Sequence, residues 1–394
     1  MNKLLLTLVI PCLLSCNTFN KRKHADTNAL NKEEKQFYEL DIRKSLSNIK
    51  EVKLSSLVKD IRYIPLETTP ECLLSKIRKI ELFNNYIFLI DKKGLYQFDF
   101  NGKFIRQVGS FGPGPGEYGI ALNFSIIRNS GEIILYAYPS GSIIVYDLKS
   151  GLYKRSFRLR FDIGDLVEFP FGKITFLTPN EPITERLYTN NEIYVCDSMG
   201  RVLDSIPDSR PGIQGNITSL VRSYIRKEEL YYMDCFQDSL SILSQHLKKR
   251  TYVNFRMDNK IKGNEIHLKK LIGKVQFPDF LSIDKFLESE KNFFISIQCG
   301  IGLYVDEDII NLLYDKTTGE LFSTPNISND IDRGMPFWPE YIFDNIMIEY
   351  YQPFQILEQY ESNMGKVKYS DDFINLVKSI KINDNPVLMI CDIK

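Results

Sequence analysis

The sequence is poor in residues that carry chemistry. Of its 394 residues three are histidine, His24, His246 and His267, and one is tryptophan. No HExxH and no paired-histidine spacing occurs, which argues against a zinc hydrolase. No GxSxG elbow occurs, which argues against a serine site of the α/β-hydrolase kind. The glycines of 109–116 lack the strand–loop–helix setting and the lysine of a phosphate-binding P-loop. None of the seven cysteines has CxxC spacing, so no zinc or redox motif is indicated. Cys72, Cys196, Cys235, Cys299 and Cys391 read as small buried hydrophobes, with a bridge between one pair left open. Neither sign of charge is in excess, with 50 Lys+Arg against 50 Asp+Glu. That removes the electrostatic reason to expect nucleic acid. After the first residues no apolar run is long enough to span a bilayer.

What is plentiful is aromatic side chain, 22 Tyr and 26 Phe, in short runs punctuated by turns. The stretch 79–118 shows the pattern best. Tyr86–Ile90 is a continuous apolar run that suits a strand buried on both faces. Lys92–Gly94 make a turn, and Leu95, Tyr96, Phe98 and Phe100 form the next strand. Asn101-Gly102 between apolar runs predicts a type I′ hairpin turn with both residues at positive φ. Phe104, Ile105 and Val108 continue to a glycine-proline loop, 112–116, that neither strand nor helix can enter.

The N-terminus has a different character. Lys3 precedes an apolar run, Leu4–Leu14, and Leu13-Leu14-Ser15-Cys16 resembles a bacterial lipobox. The expectation is a lipoprotein signal peptide over 1–15, cleavage before Cys16, and lipidation of that cysteine. Residues 16–38 read as a polar, flexible tether. Residues 39–394 read as one domain.

Within that domain Ile61–Leu66 forms an early strand. Further blades are predicted over 121–160, 164–208 and 219–255, then around Gly302–Val305 with Ile309–Tyr314, and at Asn345–Tyr351. Asp99, Asp147 and Asp197 recur about every 50 residues, the span of a four-stranded propeller blade. Asp315 follows about two periods later. These aspartates read as turn formers bonding their own backbone. In 263–275, Leu268, Leu271, Ile272 and Val275 have helical spacing, and Ser282–Glu290 continues as a second helix, so a small helical insert is placed at about 259–290. Ser370 is the predicted N-cap of a C-terminal helix with Phe373, Leu376, Val377 and Ile380 inward. Val387–Cys391 is the final strand. The fold class is therefore all-β, a six-bladed β-propeller, closed by pairing Ile61–Leu66 with Val387–Cys391.

The lipobox, IRYIPLETT (61–69), LYQFDFNGKFIRQVG (95–109) with GPGPGEY (112–118), and NDNPVLMICDIK (383–394) together resemble the six-bladed β-propeller lipoproteins of Bacteroidetes, which are related to NHL-repeat propellers. The loop 109–114 is similar to an NHL inter-blade loop. The resemblance covers nearly the whole mature chain and is sharpest in the first blade. It implies an envelope location and no agreed reaction.

Two loops qualify as ligand sites. One offers Arg106, Glu117 and Tyr118. The other, Asp330–Tyr341, offers Asp332, Arg333, Trp338 and Tyr341, an aromatic face beside charges of the kind sugar or peptide recognition needs. Trp338 and Phe337 equally suit a core between two blades. The first function hypothesis is a non-enzymatic binding or scaffolding propeller for a glycan, peptide or envelope protein. The second is a propeller hydrolase or lyase using channel carboxylates such as Glu117 or Asp332, with calcium as the metal it would hold. No cofactor and no metal ligand set is otherwise expected. The chain is expected as a monomer on the outer rather than the inner membrane. Asn17–Lys23 has no acidic residue, which favours the periplasmic face over surface display.

Overall fold

Six four-stranded sheets succeed one another in the computed structural model, which describes residues 37–170, 172–179, 190–210, 221–234, 237–259, 281–299 and 309–394. Blade I comprises Lys79–Phe83, Tyr86–Ile90, Leu95–Asp99 and Phe104–Val108. Blade II comprises Ile120–Ile127, Glu132–Tyr138, Ser142–Asp147 and Tyr153–Arg158. Blade III comprises Asp165–Glu168, Ile174–Leu177, Asn191–Cys196 and Val202–Pro207. Blade IV comprises Val221–Arg226, Glu229–Asp234, Ser239–Leu243 and Lys249–Arg256. Blade V comprises Leu281–Glu288, Asn292–Cys299, Ile309–Asp315 and Glu320–Ser323. Blade VI comprises Tyr341–Phe343, Ile346–Tyr351, Val387–Ile393 and, from the other end of the sequence, Val58–Pro65. The fold is a six-bladed β-propeller, with the first-named strand of each blade innermost.

The period of two along each strand builds the cores. In Tyr86–Ile90, Ile87 and Leu89 join a cluster with Ile348, Leu388 and Ile390 of blade VI. Phe88 and Ile90 join one with Phe124, Ile133 and Leu135 of blade II. A blade buried on both faces needs no polar side, which is why this run is apolar throughout. The ring closes as the sequence predicts, with Ile61 opposite Cys391 and Ile64 opposite Leu388 in antiparallel register.

The residues before that strand follow the outer edges of two blades. Tyr38–Asp41 adds a fifth, parallel strand to blade IV, with Tyr38 opposite Val253. A short helix, α1 (Ile42–Ser45), turns the chain. Lys50 N donates to Ser323 O at 2.9 Å and Ser323 N to Asn48 O at 2.9 Å. Val52–Lys53 then pairs with Ile327–Ser328. Open strand edges of blades IV and V are covered by the chain itself.

The turn aspartates behave as expected. Asn101 N donates to Asp99 Oδ1 at 2.9 Å, Ser150 N to Asp147 Oδ1 at 2.7 Å, Met199 N to Asp197 Oδ1 at 2.9 Å and Thr317 N to Asp315 Oδ1 at 2.7 Å. The Asn101-Gly102 turn, however, is not type I′. Gly102 has φ 85° and Asn101 is not at positive φ. Gly102 N donates to Asp99 O, so Phe100 and Asn101 occupy the turn and Gly102 completes a bulge. The Asp99 carboxylate is the deciding group, because it binds the N–H groups of Asn101 and Lys103.

Ser282–Glu290 is also corrected. It is not a helix; Leu281–Glu288 is the inner strand of blade V, paired with Asn292–Cys299. A bulge between Ile283 and Lys285 inserts one residue. That places Ile283 and Phe286 three apart, a helix-like spacing within a strand. The helical stripe of 263–275, the 302–305 strand, Cys235, the side chain of Cys299, and the whole N-terminal segment with Cys16 lie outside the described residues. Cys72, Cys196 and Cys391 are buried and unbridged.

Two helices are inserted in blade VI between Tyr351 and Val387. The second, α3 (Asp371–Ser379), is the predicted one, and Phe373 N donates to Ser370 Oγ at 3.1 Å. The first, α2 (Pro353–Ser362), has no counterpart in the sequence reading. Its start carries Gln352 rather than Ser, Thr, Asp or Asn, and is marked only by Pro353 in the first turn and by Gln355 reaching back to Gln352 N at 2.8 Å.

Candidate functional site: the central channel

The two loops singled out from the sequence do not form one site. Arg106 lies on the outer strand of blade I, and its Nη2 donates to Leu148 O at 3.0 Å in the next blade. Burial lowers the pKa of its guanidinium. Glu117 accepts from Gly114 N at 2.8 Å and braces its own loop. Tyr118 is buried; its hydroxyl donates to Val108 O at 2.8 Å and accepts from Leu95 N at 3.1 Å. Asp332 is buried and accepts from Asn329 Nδ2 at 2.6 Å and Gly334 N at 2.8 Å, and burial raises its carboxyl pKa. Arg333 is exposed at a left-handed turn, φ 63°. None of these five lines the central cavity. Trp338 and Tyr341 do.

The cavity runs along the propeller axis, has a volume of about 1680 Å³, and is lined by the inner strands of all six blades. Its wall over blades I to IV carries a polar network. Lys79 Nζ donates to Asn123 Oδ1 at 2.9 Å and lies 3.5 Å from Glu81 and 3.6 Å from Asp165. Asp165 in turn accepts from Asn123 Nδ2 at 2.9 Å and Ser223 Oγ at 2.6 Å. The same side chains cap the free edges of the inner strands. Glu81 accepts from Ile126 N at 3.0 Å, Glu168 from Arg128 N at 2.9 Å, and Asp165 from Leu166 N at 2.8 Å. An innermost strand has one unpaired edge, and these carboxylates and amides occupy its donors. Burial raises the Glu81 carboxyl pKa, opposed by Lys79.

The wall over blades IV to VI is aromatic and less completely bonded. Trp338 is 7% exposed, meets Phe294 edge-on, and donates from Nε1 to Ser296 Oγ at 2.9 Å. It is therefore largely core between blades V and VI, with one edge on the cavity. Tyr341 stacks on Phe343 with centroids 6.0 Å apart. Tyr350 donates to Ile77 O at 3.1 Å, tying blade VI to blade I. Lys285 pairs with Glu340. Glu340 N donates to Ile348 O at 2.8 Å, next to Glu349; burial first, and repulsion from Glu340 second, push the Glu349 carboxyl well above the usual range. Among the described residues the Tyr341 hydroxyl and the Arg222 guanidinium have no hydrogen-bond or ion-pair partner, although both face this space. Burial keeps the Tyr341 hydroxyl protonated. Among the described residues no cluster of His, Cys, Asp and Glu is arranged to hold a metal ion.

Lys79, Asp165, Arg222, Glu340 and Glu349 are absent from the sequence-based candidates. Their signal is position: each stands on an inner strand or beside one. The inner strand of blade I, Lys79–Phe83, mixes charge with apolar residues and does not read as a strand until its partner Tyr86–Ile90 is in place.

A family described as a domain of unknown function, DUF4934, matches residues 37–392. No curated protein matches the chain. Among solved structures, a protein of Bacteroides fragilis assigned as exported is similar with TM-score 0.67 and 18% identity, over 91% of this chain and 99% of that one. A member of the DUF4221 family from Bacteroides vulgatus is similar with TM-score 0.48 and 11% identity, over 86% and 98%. Virginiamycin B lyase of Staphylococcus aureus is similar with TM-score 0.40 and 12% identity, over 70% and 76%.

Proposed function

Since the chain belongs to the DUF4934 family, whose description assigns no role, we propose from the site itself that it is a binding or scaffolding module of the cell envelope, taking its ligand in the central channel. The observation that carries this is the blade IV–VI wall, where Tyr341 and Arg222 face a cavity of about 1680 Å³ with their polar groups unpartnered among the described residues. Polar groups without partners that converge on a cavity are what a ligand completes. The lipobox-like Leu13–Cys16 supports a lipid anchor, and the exported Bacteroides fragilis relative is compatible with an envelope location. The outer membrane, its periplasmic face and a monomeric state belong to the same proposal.

The test is a thermal-shift screen of the full chain against envelope and dietary glycans, peptides and divalent metals. Ligands of the channel raise Tm in the wild type and not in Tyr341→Ala. Hits that persist in that variant would place the ligand elsewhere.

A second reading, hydrolase or lyase, is favoured by one observation, the Glu340–Glu349 pair. Two neighbouring carboxylates, one held by Lys285 and the other pushed towards its neutral form, are the arrangement that separates a general acid from a carboxylate base. It predicts turnover of a channel ligand that Glu349→Gln abolishes while leaving its binding intact.

A further inference from the structure

The channel has a basic entrance. Lys79, Asp165 and Ser223 lie on one level, joined through Asp165. Arg78 precedes Lys79 by one residue on blade I, and Arg222 precedes Ser223 by one residue on blade IV, the blade opposite in a six-membered ring. Both therefore stand at the same mouth. Lys76 lies just before Arg78, and Lys92 in the turn whose Asp91 binds Ser75 N at 2.8 Å. All four are exposed, line the cavity and have no hydrogen-bond or ion-pair partner for their side chains among the described residues. In a chain with equal numbers of acids and bases, four unpaired cations at one opening is a local excess. The acids nearby do not cancel it. Glu340 is already paired with Lys285, burial holds Glu349 towards its neutral form, and Asp284 is the remaining carboxylate of blade V on the cavity.

We infer that the channel ligand is an acidic oligosaccharide, its carboxylate or sulfate groups bound by Arg222 and Arg78 and drawn in by Lys76 and Lys92. The inference rests on the channel-binding function proposed above and narrows its ligand. Four observations select this class. The guanidinium of Arg222 is free to form a two-pronged hydrogen bond with a planar or tetrahedral oxyanion. The stacked Tyr341 and Phe343 rings, with a free hydroxyl, suit a sugar ring and its hydroxyl groups. A peptide bound in extended form would need free strand edges, but Glu81 and Asp165 already occupy backbone donors of the inner strands of blades II and III. The cavity also exceeds the roughly 300–1,000 Å³ usual for a single small molecule, which favours a chain of sugars.

Calorimetric titration of the full chain tests this with four probes: a uronate oligosaccharide, the same chain with its carboxyls methyl-esterified, a sulfated oligosaccharide and a polyglutamate peptide. The expected result is binding of one or both acidic saccharides, weakened at least about tenfold by esterification or by Arg222→Gln, as the loss of a charge-assisted contact predicts. Added salt weakens it too, and the Tm of the variant without ligand is unchanged. Whether the uronate or the sulfated chain binds tells which oxyanion the site takes. Equal binding of the methyl ester, lost in Tyr341→Ala, overturns the acidic inference and leaves the channel function standing. Binding insensitive to Arg222→Gln, Arg78→Gln and Tyr341→Ala alike overturns both. Tighter binding of polyglutamate, or no saccharide binding at all, overturns the choice of a saccharide.

Discussion

Glu132, at the start of a blade II strand, shows how single residues hold the blades. It receives two parallel hydrogen bonds from Arg155, at 2.7 and 2.8 Å, and an ion pair from Lys154 at 2.6 Å. The Arg155 hydrogen bonds, partly offset by burial, lower its pKa to about 2. A carboxyl with a depressed folded-state pKa stabilises the fold above its unfolded value and loses that contribution as pH falls through the folded one. Glu132→Gln should therefore cost about 1 kcal/mol at pH 7, after allowance for solvent screening. The gap in Tm between variant and wild type should close as pH falls from about 4.5 towards 2. Gly102 acts through backbone instead. At φ 85° an added Cβ would lie 2.2 Å from Pro65 O, on the strand that closes the ring. Gly102→Ala should cost about 1–3 kcal/mol in a denaturant titration, the usual penalty for strain at a left-handed position.

Elements were legible where their signals were local. The closing strand, the capped helix α3 and the aspartate turns each depend on residues within a few positions of one another. Leu281–Glu288 was misread because its bulge imitates helical spacing, and the channel was missed because its residues meet only when six separate strands converge. Ser370→Ala should cost about 1 kcal/mol, measured as a shift in the denaturation midpoint. Asn385 ties the start of the closing strand to the chain before blade I. Its Nδ2 donates to Glu67 O at 2.7 Å and Cys72 O at 2.8 Å, and its Oδ1 accepts from Leu74 N at 2.8 Å. Asn385→Ala removes three side-chain hydrogen bonds to backbone groups and should cost about 2–4 kcal/mol. Deleting residues 384–394 removes the strand between Ile346–Tyr351 and Val58–Pro65, and should abolish the cooperative transition rather than lower its midpoint.

At the scale of the molecule the proposals concern place and ligand. If Cys16 is the lipid attachment point, Cys16→Ala should move the protein from the membrane fraction to the soluble one; retention on membranes would rule the anchor out. The loop of Arg106, Glu117 and Tyr118 looked like a ligand site because glycine-rich turns with polar residues often are one. Here Arg106 and Tyr118 spend their hydrogen bonds between blade I and the chain of blade II while Glu117 braces its own loop, and only the folded arrangement distinguishes the two uses.

The closure of blade VI also sets an order in time. Ile61 waits for Cys391, so a strand made early is completed last. As the chain emerges from its N-terminus, blades I to V can assemble from neighbouring segments while Val58–Pro65 stands without its partner. Contacts so distant in sequence are slow to form, because the intervening loop must close before they are rewarded. The unfinished ring meanwhile exposes a strand edge open to other chains. The vulnerable interval in the life of this protein is therefore the wait for its last residues.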